Sequence, residues 1–286
     1  MDESQTKQLN REKRGQISAE YLSKFSELSN ETLNQMLKDD DPQKRTAAAK
    51  TLGKTRSSKN VASLCEAMKN EKAFYSRIAM SESLGGMGLI AVPNLIEQLG
   101  KIGNNQETEL PSKYFKKKSF PLQRDLAART LVKIGRPALP YLIHTISNHE
   151  DIVTREQAVD AVGGIAFKTN DHSAVDVIIQ TIHENINTDN RVLFWKCIRA
   201  LSGFKKNRSA FDVLMEILGD NNEPPILWET MRSIGKIGIF NTQLVTMLKN
   251  FETENTELKL AYDCLIIDLN LKSFKKIDSV SMNYLY

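Results

Sequence analysis

The chain has 286 residues, 41% of them apolar, and its 39 basic against 35 acidic side chains leave a formal charge of +4. That is enough apolar matter for a core, and too even a balance to mark a dedicated nucleic-acid binder. No run approaches the roughly 18 apolar residues that cross a bilayer, and the polar opening MDESQTKQLNREKRGQ has no apolar centre such as a secretory signal needs. Sparse glycine and proline, with 7% aromatic residues, suit helices better than strands. Cys65, Cys197 and Cys264 are odd in number, far apart and each set in an apolar helical pattern. They read as core residues in a reducing compartment, so a cytoplasmic location is expected.

Residues 1–30 are polar and predict an arm with a capping helix around Glu20–Leu28. From residue 31 the chain repeats itself, which is the signature of a stacked helical array. One helix type, the A-helix, recurs as NVASLCEAM at 60–68, AVPNLIEQL at 91–99, ALPYLIHTI at 138–146, AVDVIIQTI at 174–182 and AFDVLMEIL at 210–218. Apolar residues recur in each at helical spacing. A second type, the B-helix, alternates with it, anchored at Leu52, Leu84, Leu131, Val162, Leu201 and Ile234. Arg45, Arg77, Arg124 and Arg155 each lie seven residues before the first four anchors, and small residues such as Ala48, Ala79, Ala128 and Ala158 precede them.

Helix pairs are therefore expected near 31–54, 58–87, 89–135, 136–166, 171–204, 206–238 and 240–269. One pair is interrupted by GNNQETELPSKYFKKKSFPLQ at 103–123, a length of unpatterned chain that is often functional or disordered. Residues 270–286 form a tail.

The run D-P-x-x-R-x-x-A-A-x-x-L-G from Asp41-Pro42 to Gly53 resembles the HEAT repeat, and more closely the short HEAT-like repeat of the phycobiliprotein lyases. The resemblance covers about residues 31–269. It implies an all-α, right-handed α-α superhelical solenoid of about seven HEAT-like pairs at 31–269, flanked by the arm at 1–30 and the tail at 270–286. It implies little about function, because scaffolds, lyases, hydroxylases and glycosylases share the repeat.

Candidate chemistry is thin. HEAT-like deoxyhypusine hydroxylases hold di-iron through four His-Glu pairs. This chain has His149-Glu150 and His183-Glu184 at non-equivalent repeat positions. Neither HExxH nor CxxC occurs, so no metal and no cofactor are expected. GGMG at 85–88 reads as a helix C-cap and not as a phosphate loop.

The B-helices carry the more telling pattern. In this repeat family they line the concave face. Two residues before each anchor stand Lys50, Glu82, Arg129, Asp160, Arg199 and Arg232, an all-charged row expected to face solvent. Six before stand Thr46, Ile78, Asp125, Glu156, Trp195 and Trp228. Both tryptophans thus hold equivalent places, each four residues before an arginine. Trp195/Arg199 and Trp228/Arg232 form either an exposed partner-binding ladder or a set tucked into the inter-repeat core. In the insert, Lys113, Lys116, Lys117 and Lys118 interleave with Tyr114, Phe115 and Phe120, alongside Glu107 and Glu109. That composition suits either a solvated loop with an aromatic pin or a surface for an acidic partner.

The leading expectation is a non-enzymatic scaffold or adaptor that binds another protein, through an acidic segment, with no membrane role. One alternative is a DNA-binding or alkylpurine DNA glycosylase-like protein, since that HEAT-like family uses tryptophans, an aspartate and an arginine, and Trp195, Asp160 and Arg199 match those residue types. Glu156 stands where an aromatic would be wanted. The other alternative is a lyase- or chaperone-like role, which rests on the repeat resemblance alone.

Overall fold

The computed structural model describes residues 3–102, 106–114, 120–220 and 222–270, and every regular element among them is helical. The expected tail lies, from residue 271 on, outside the described residues. In chain order the helices are α1 (Glu3–Glu12), α2 (Ala19–Ser23), α3 (Asn30–Met36), α4 (Pro42–Leu52), α5 (Ser58–Asn70), α6 (Phe74–Met87), α7 (Val92–Ile96) and α8 (Leu126–Ile134). They continue as α9 (Leu139–Asn148), α10 (Ile152–Thr169), α11 (Val175–Asn185), α12 (Arg191–Leu201), α13 (Arg208–Gly219), α14 (Pro224–Ile237), α15 (Thr242–Lys249) and α16 (Thr256–Asp268). From α3 onward A- and B-helices alternate, so the period read from the sequence is the period of the fold.

The chain divides into two compact units, Met1–Gln106 with Leu122–Ile165, and Glu107–Pro121 with Ala166–Tyr286. In the first unit the B-helices α4, α6 and α8 pack in series, and the A-helices α3, α5, α7 and α9 form the layer behind them. In the second unit α12, α14 and α16 make the B-layer, with α11 and α13 behind. α15 joins α16 through the Tyr262 hydroxyl, which donates to the Leu248 carbonyl at 3.0 Å. Each pair alone would leave an apolar face in water; stacking within each unit buries it as a core. The small residues before the anchors permit that approach: Ala48, Ala79, Ala128 and Ala158 are all within 1% of full burial.

Local signals set the helix ends. Asp41 caps α4 with Pro42 in its first turn. α6 stops at Gly88, which takes φ +72, and α8 stops at Gly135 with φ +81, a backbone that side chains with a Cβ rarely adopt. The repeated arginine serves the turn between helices. A-helices end with carbonyls that lack an intrahelical partner, and a guanidinium from the following B-helix meets them. Arg45 donates to Asp39 O at 2.7 Å, Arg77 to Glu71 O at 2.6 Å and Arg155 to Ile146 O at 2.7 Å. Arg191 does the same to Ile186 O at 3.0 Å, in a repeat whose spacing hides the match. Arg124 departs from the pattern: it is exposed, and Arg129 instead donates to Gln123 O at 2.7 Å.

Arg45 also forks onto Glu71 at 2.8 and 2.9 Å, and the Glu71 side chain is 1% exposed. Arg45→Met strips that carboxylate of its partner and should cost about 1–3 kcal/mol, with faster amide exchange across α4 and α6. Lys59→Met should give no measurable change, because its pair with Glu31 lies in water on both sides.

Arg191 forks onto Glu223 at 2.7 and 2.8 Å and holds that carboxyl below its usual value of 4.5. A depressed carboxyl stabilises the fold above its unfolded value and loses that contribution as pH falls through the folded one. Acid titration of stability should therefore show a limb below pH 4.5 that Arg191→Met flattens.

Candidate partner-binding site

The site lies within the second unit, on the B-layer of α12, α14 and α16. Apolar spacing fixes which way α12 turns: Leu193, Phe194, Cys197, Ile198 and Leu201 are all fully buried. Between them the same helix carries Lys196 at 0% exposure and Arg199 at 6%. Cations buried to this degree need a carboxylate close by. The insert supplies one. Glu107 Oε1 lies 3.3 Å from Arg199 Nη1, and Glu107 Oε2 lies 3.5 Å from Lys196 Nζ. The Arg199 guanidinium sits 4.3 Å above the centre of the Trp195 ring, a cation–π contact.

The insert then runs on across the layer. The Tyr114 backbone N–H donates to Glu257 Oε2 of α16 at 2.7 Å. Its phenol stays protonated far above the usual range, because burial disfavours the anion and Cys264 of α16 adds to the shift. Arg232 and Glu229, which pair with each other along α14, also lie within electrostatic reach of that phenol. Farther along, the Phe120 ring lies tilted against Phe167 with the centres 5.9 Å apart, and the Phe167 ring also carries Lys205 Nζ at 4.6 Å. This is the aromatic pin that the composition allows. Residues 107–114 are thus a strap over the unit's own B-layer, with exposed stretches at Thr108, Glu109, Ser112 and Lys113.

The structure places the expected residues as follows. Trp195, Trp228, Arg199 and Arg232 are all buried, at 5%, 3%, 6% and 4% exposure. The sequence pattern has the whole charged row facing solvent. Lys50 and Glu82 do, and Asp160, Arg199 and Arg232 do not. Arg199 meets Glu107 of the strap, and Arg232 pairs with Glu229 of its own helix. Asp125 is an N-cap, accepting from the Ala128 N–H at 2.8 Å, and so does not belong to a lining row. Burial raises its carboxyl, opposed by that bond and by those from Gln106 and Gly100. Lys113 is exposed on the strap, while Lys116, Lys117 and Lys118, with Phe115, lie outside the described residues.

His149, Glu150, His183 and Glu184 are exposed, and no group of three metal-ligating side chains occurs among the described residues. Burial pushes the Cys65 thiol up to about 12, which makes it a packing residue and not a nucleophile. No helix is long and apolar enough to cross a membrane among the described residues.

Sequence reasoning misses Lys196, Glu107 as its counter-charge, and the docking of Tyr114. One signal is available: a lone lysine inside the apolar run LFWKCI has no route to water on a helix buried nearly all round.

With both tryptophans buried, emission should be blue-shifted and protected from iodide. Trp228→Ala should cost about 3–5 kcal/mol, the value for removing a large core side chain. Red-shifted, readily quenched emission together with an unaltered melting temperature would mean that the rings are in water.

No family model matches the chain, and no curated protein does. Solved structures do match. A designed armadillo repeat protein in complex with the peptide (KR)4 is 14% identical, with a TM-score of 0.40, over 85% of this chain and 100% of its own. The complex of CpcE and CpcF of phycocyanin lyase from Nostoc sp. PCC7120 is 19% identical, with a TM-score of 0.35, over 91% and 93%. Human deoxyhypusine hydroxylase is 12% identical, with a TM-score of 0.37, over 93% and 96%.

Proposed function

We propose that the protein is a non-enzymatic scaffold or adaptor that binds another protein through the B-layer of its second unit. One observation carries this reading: a stretch of irregular chain already lies against that layer, with Glu107 on Lys196 and Arg199 of α12 and the Tyr114 amide on Glu257 of α16. A face that holds one acidic and aromatic segment has the chemistry to hold another. Buried arginine and tryptophan beside a rim of polar side chains are the make-up of binding hot spots. Lys113 stands exposed at the edge of this face and belongs to the proposed contact surface. The buried positions of Trp195 and Arg199, with a carboxylate laid over them, give little support to a DNA-binding reading. A phosphate would have to approach where Glu107 already sits.

The test is site-specific photo-crosslinking in the native cell. A photoreactive residue at Lys113, or at Leu260 on α16, should yield a discrete protein adduct, and the same residue at Leu9 on α1 should yield none. Adducts with nucleic acid, or no protein adduct from either position, would overturn the scaffold reading.

A further inference from the structure

The strap meets its own unit through longer charged contacts than a forked pair nearby makes. Glu107 meets Arg199 at 3.3 Å and Lys196 at 3.5 Å, whereas the forked Arg191–Glu223 pair in the same unit closes to 2.7 and 2.8 Å. Charge-assisted contacts weaken over that interval. Two further donors on the same layer, Trp195 Nε1 and Arg232 Nη1, are buried without an acceptor among the described residues. Buried donors of this kind cost free energy until something accepts from them. Between its anchors the strap has Thr108, Glu109, Ser112 and Lys113 exposed. Its length suits the distance it has to cover. Seven residues from Glu107 to Tyr114 span at most about 25 Å, and two steps between packed helices take about 16–20 Å.

We propose that residues 107–114 are an intramolecular stand-in for the partner, covering the α12–α14–α16 face until an acidic segment of another protein displaces them. That segment carries a carboxylate for Lys196 and Arg199 and, about seven residues on, an aromatic side chain for the place held by Tyr114. Further carboxylate or carbonyl groups along it accept from Trp195 Nε1 and Arg232 Nη1, to which the strap offers no acceptor. The strap therefore lowers the apparent affinity for weak or neutral segments and sets a threshold of charge that a partner must exceed. The proposal deepens the protein-binding reading and rests on it.

The experiment uses the full chain and a labelled peptide with the sequence of residues 106–114, QETELPSKY, followed by fluorescence anisotropy. Tyr114→Ala loosens the far end of the strap and leaves the cations in place. This variant should bind the peptide at least ten-fold more tightly than the wild-type chain. Replacing the peptide's first glutamate by glutamine should remove the gain, and so should Arg199→Met added to Tyr114→Ala. Equal binding to wild type and variant, or equal binding of the glutamine peptide, would overturn the proposal.

A second measurement needs no variant. Saturating wild-type protein with the peptide should speed hydrogen exchange at the Tyr114 amide, which Glu257 otherwise holds. Peptide bound with that amide still protected would also overturn it. The two readings are separable. A protein adduct without strap exchange defeats the stand-in and leaves the scaffold, whereas the absence of any protein adduct defeats both.

Discussion

Two cations, Lys196 and Arg199, lie buried on one turn of a helix whose other inward side chains are apolar. An ammonium and a guanidinium removed from water are tolerated only where carboxylate and ring electrons replace their hydration. Glu107 and the Trp195 ring do so here. This requirement gives the insert its place. A loop of its composition, left to itself, would wander in solvent. Tied at Glu107, at the Tyr114 amide and at the Phe120 ring, it becomes part of the second unit although its sequence neighbours on both sides belong to the first.

The repeat architecture makes such a strap possible. Arginines at the starts of B-helices tie down the carbonyl ends of the A-helices before them, which fixes the turn between each pair. Small residues such as Ala48, Ala79 and Ala128 then let successive B-helices of the first unit close up into a layer. A layer built from similar helices presents side chains at regular steps, and an extended chain laid across it meets one such step after another. Function in this class of fold comes from what those steps display, not from the stacking itself.

The fold is legible in the sequence because it is periodic. A repeat prints the same signal several times, and errors in one copy are corrected by the others, as with Leu52, Leu84, Leu131 and Val162. The site is less legible because it is not periodic. Trp195 and Trp228 stand out as a matched pair, but the choice between an exposed face and the core turns on what lies over them. The sequence pattern of α12 cannot contain that information, since the covering residues stand 88 positions earlier, at Glu107 against Trp195. The charged row misleads for the same reason: charge at a helix position signals solvent only where no distant segment brings a counter-charge. Asp125 misleads differently, because a side chain at a helix start serves the backbone first. Lys196 is the overlooked clue, a cation with no path to water.

The central claim is that Glu107 and Arg199 are energetically coupled, with the insert held on the second unit by that contact. A double-mutant cycle tests it most directly, using Glu107→Gln, Arg199→Met and both together, with stability read from urea unfolding. A buried, charge-assisted contact predicts a coupling energy of about 1 kcal/mol or more. Additivity to within about 0.3–0.5 kcal/mol would mean that the two side chains do not sense each other, and the strap would then have no electrostatic anchor.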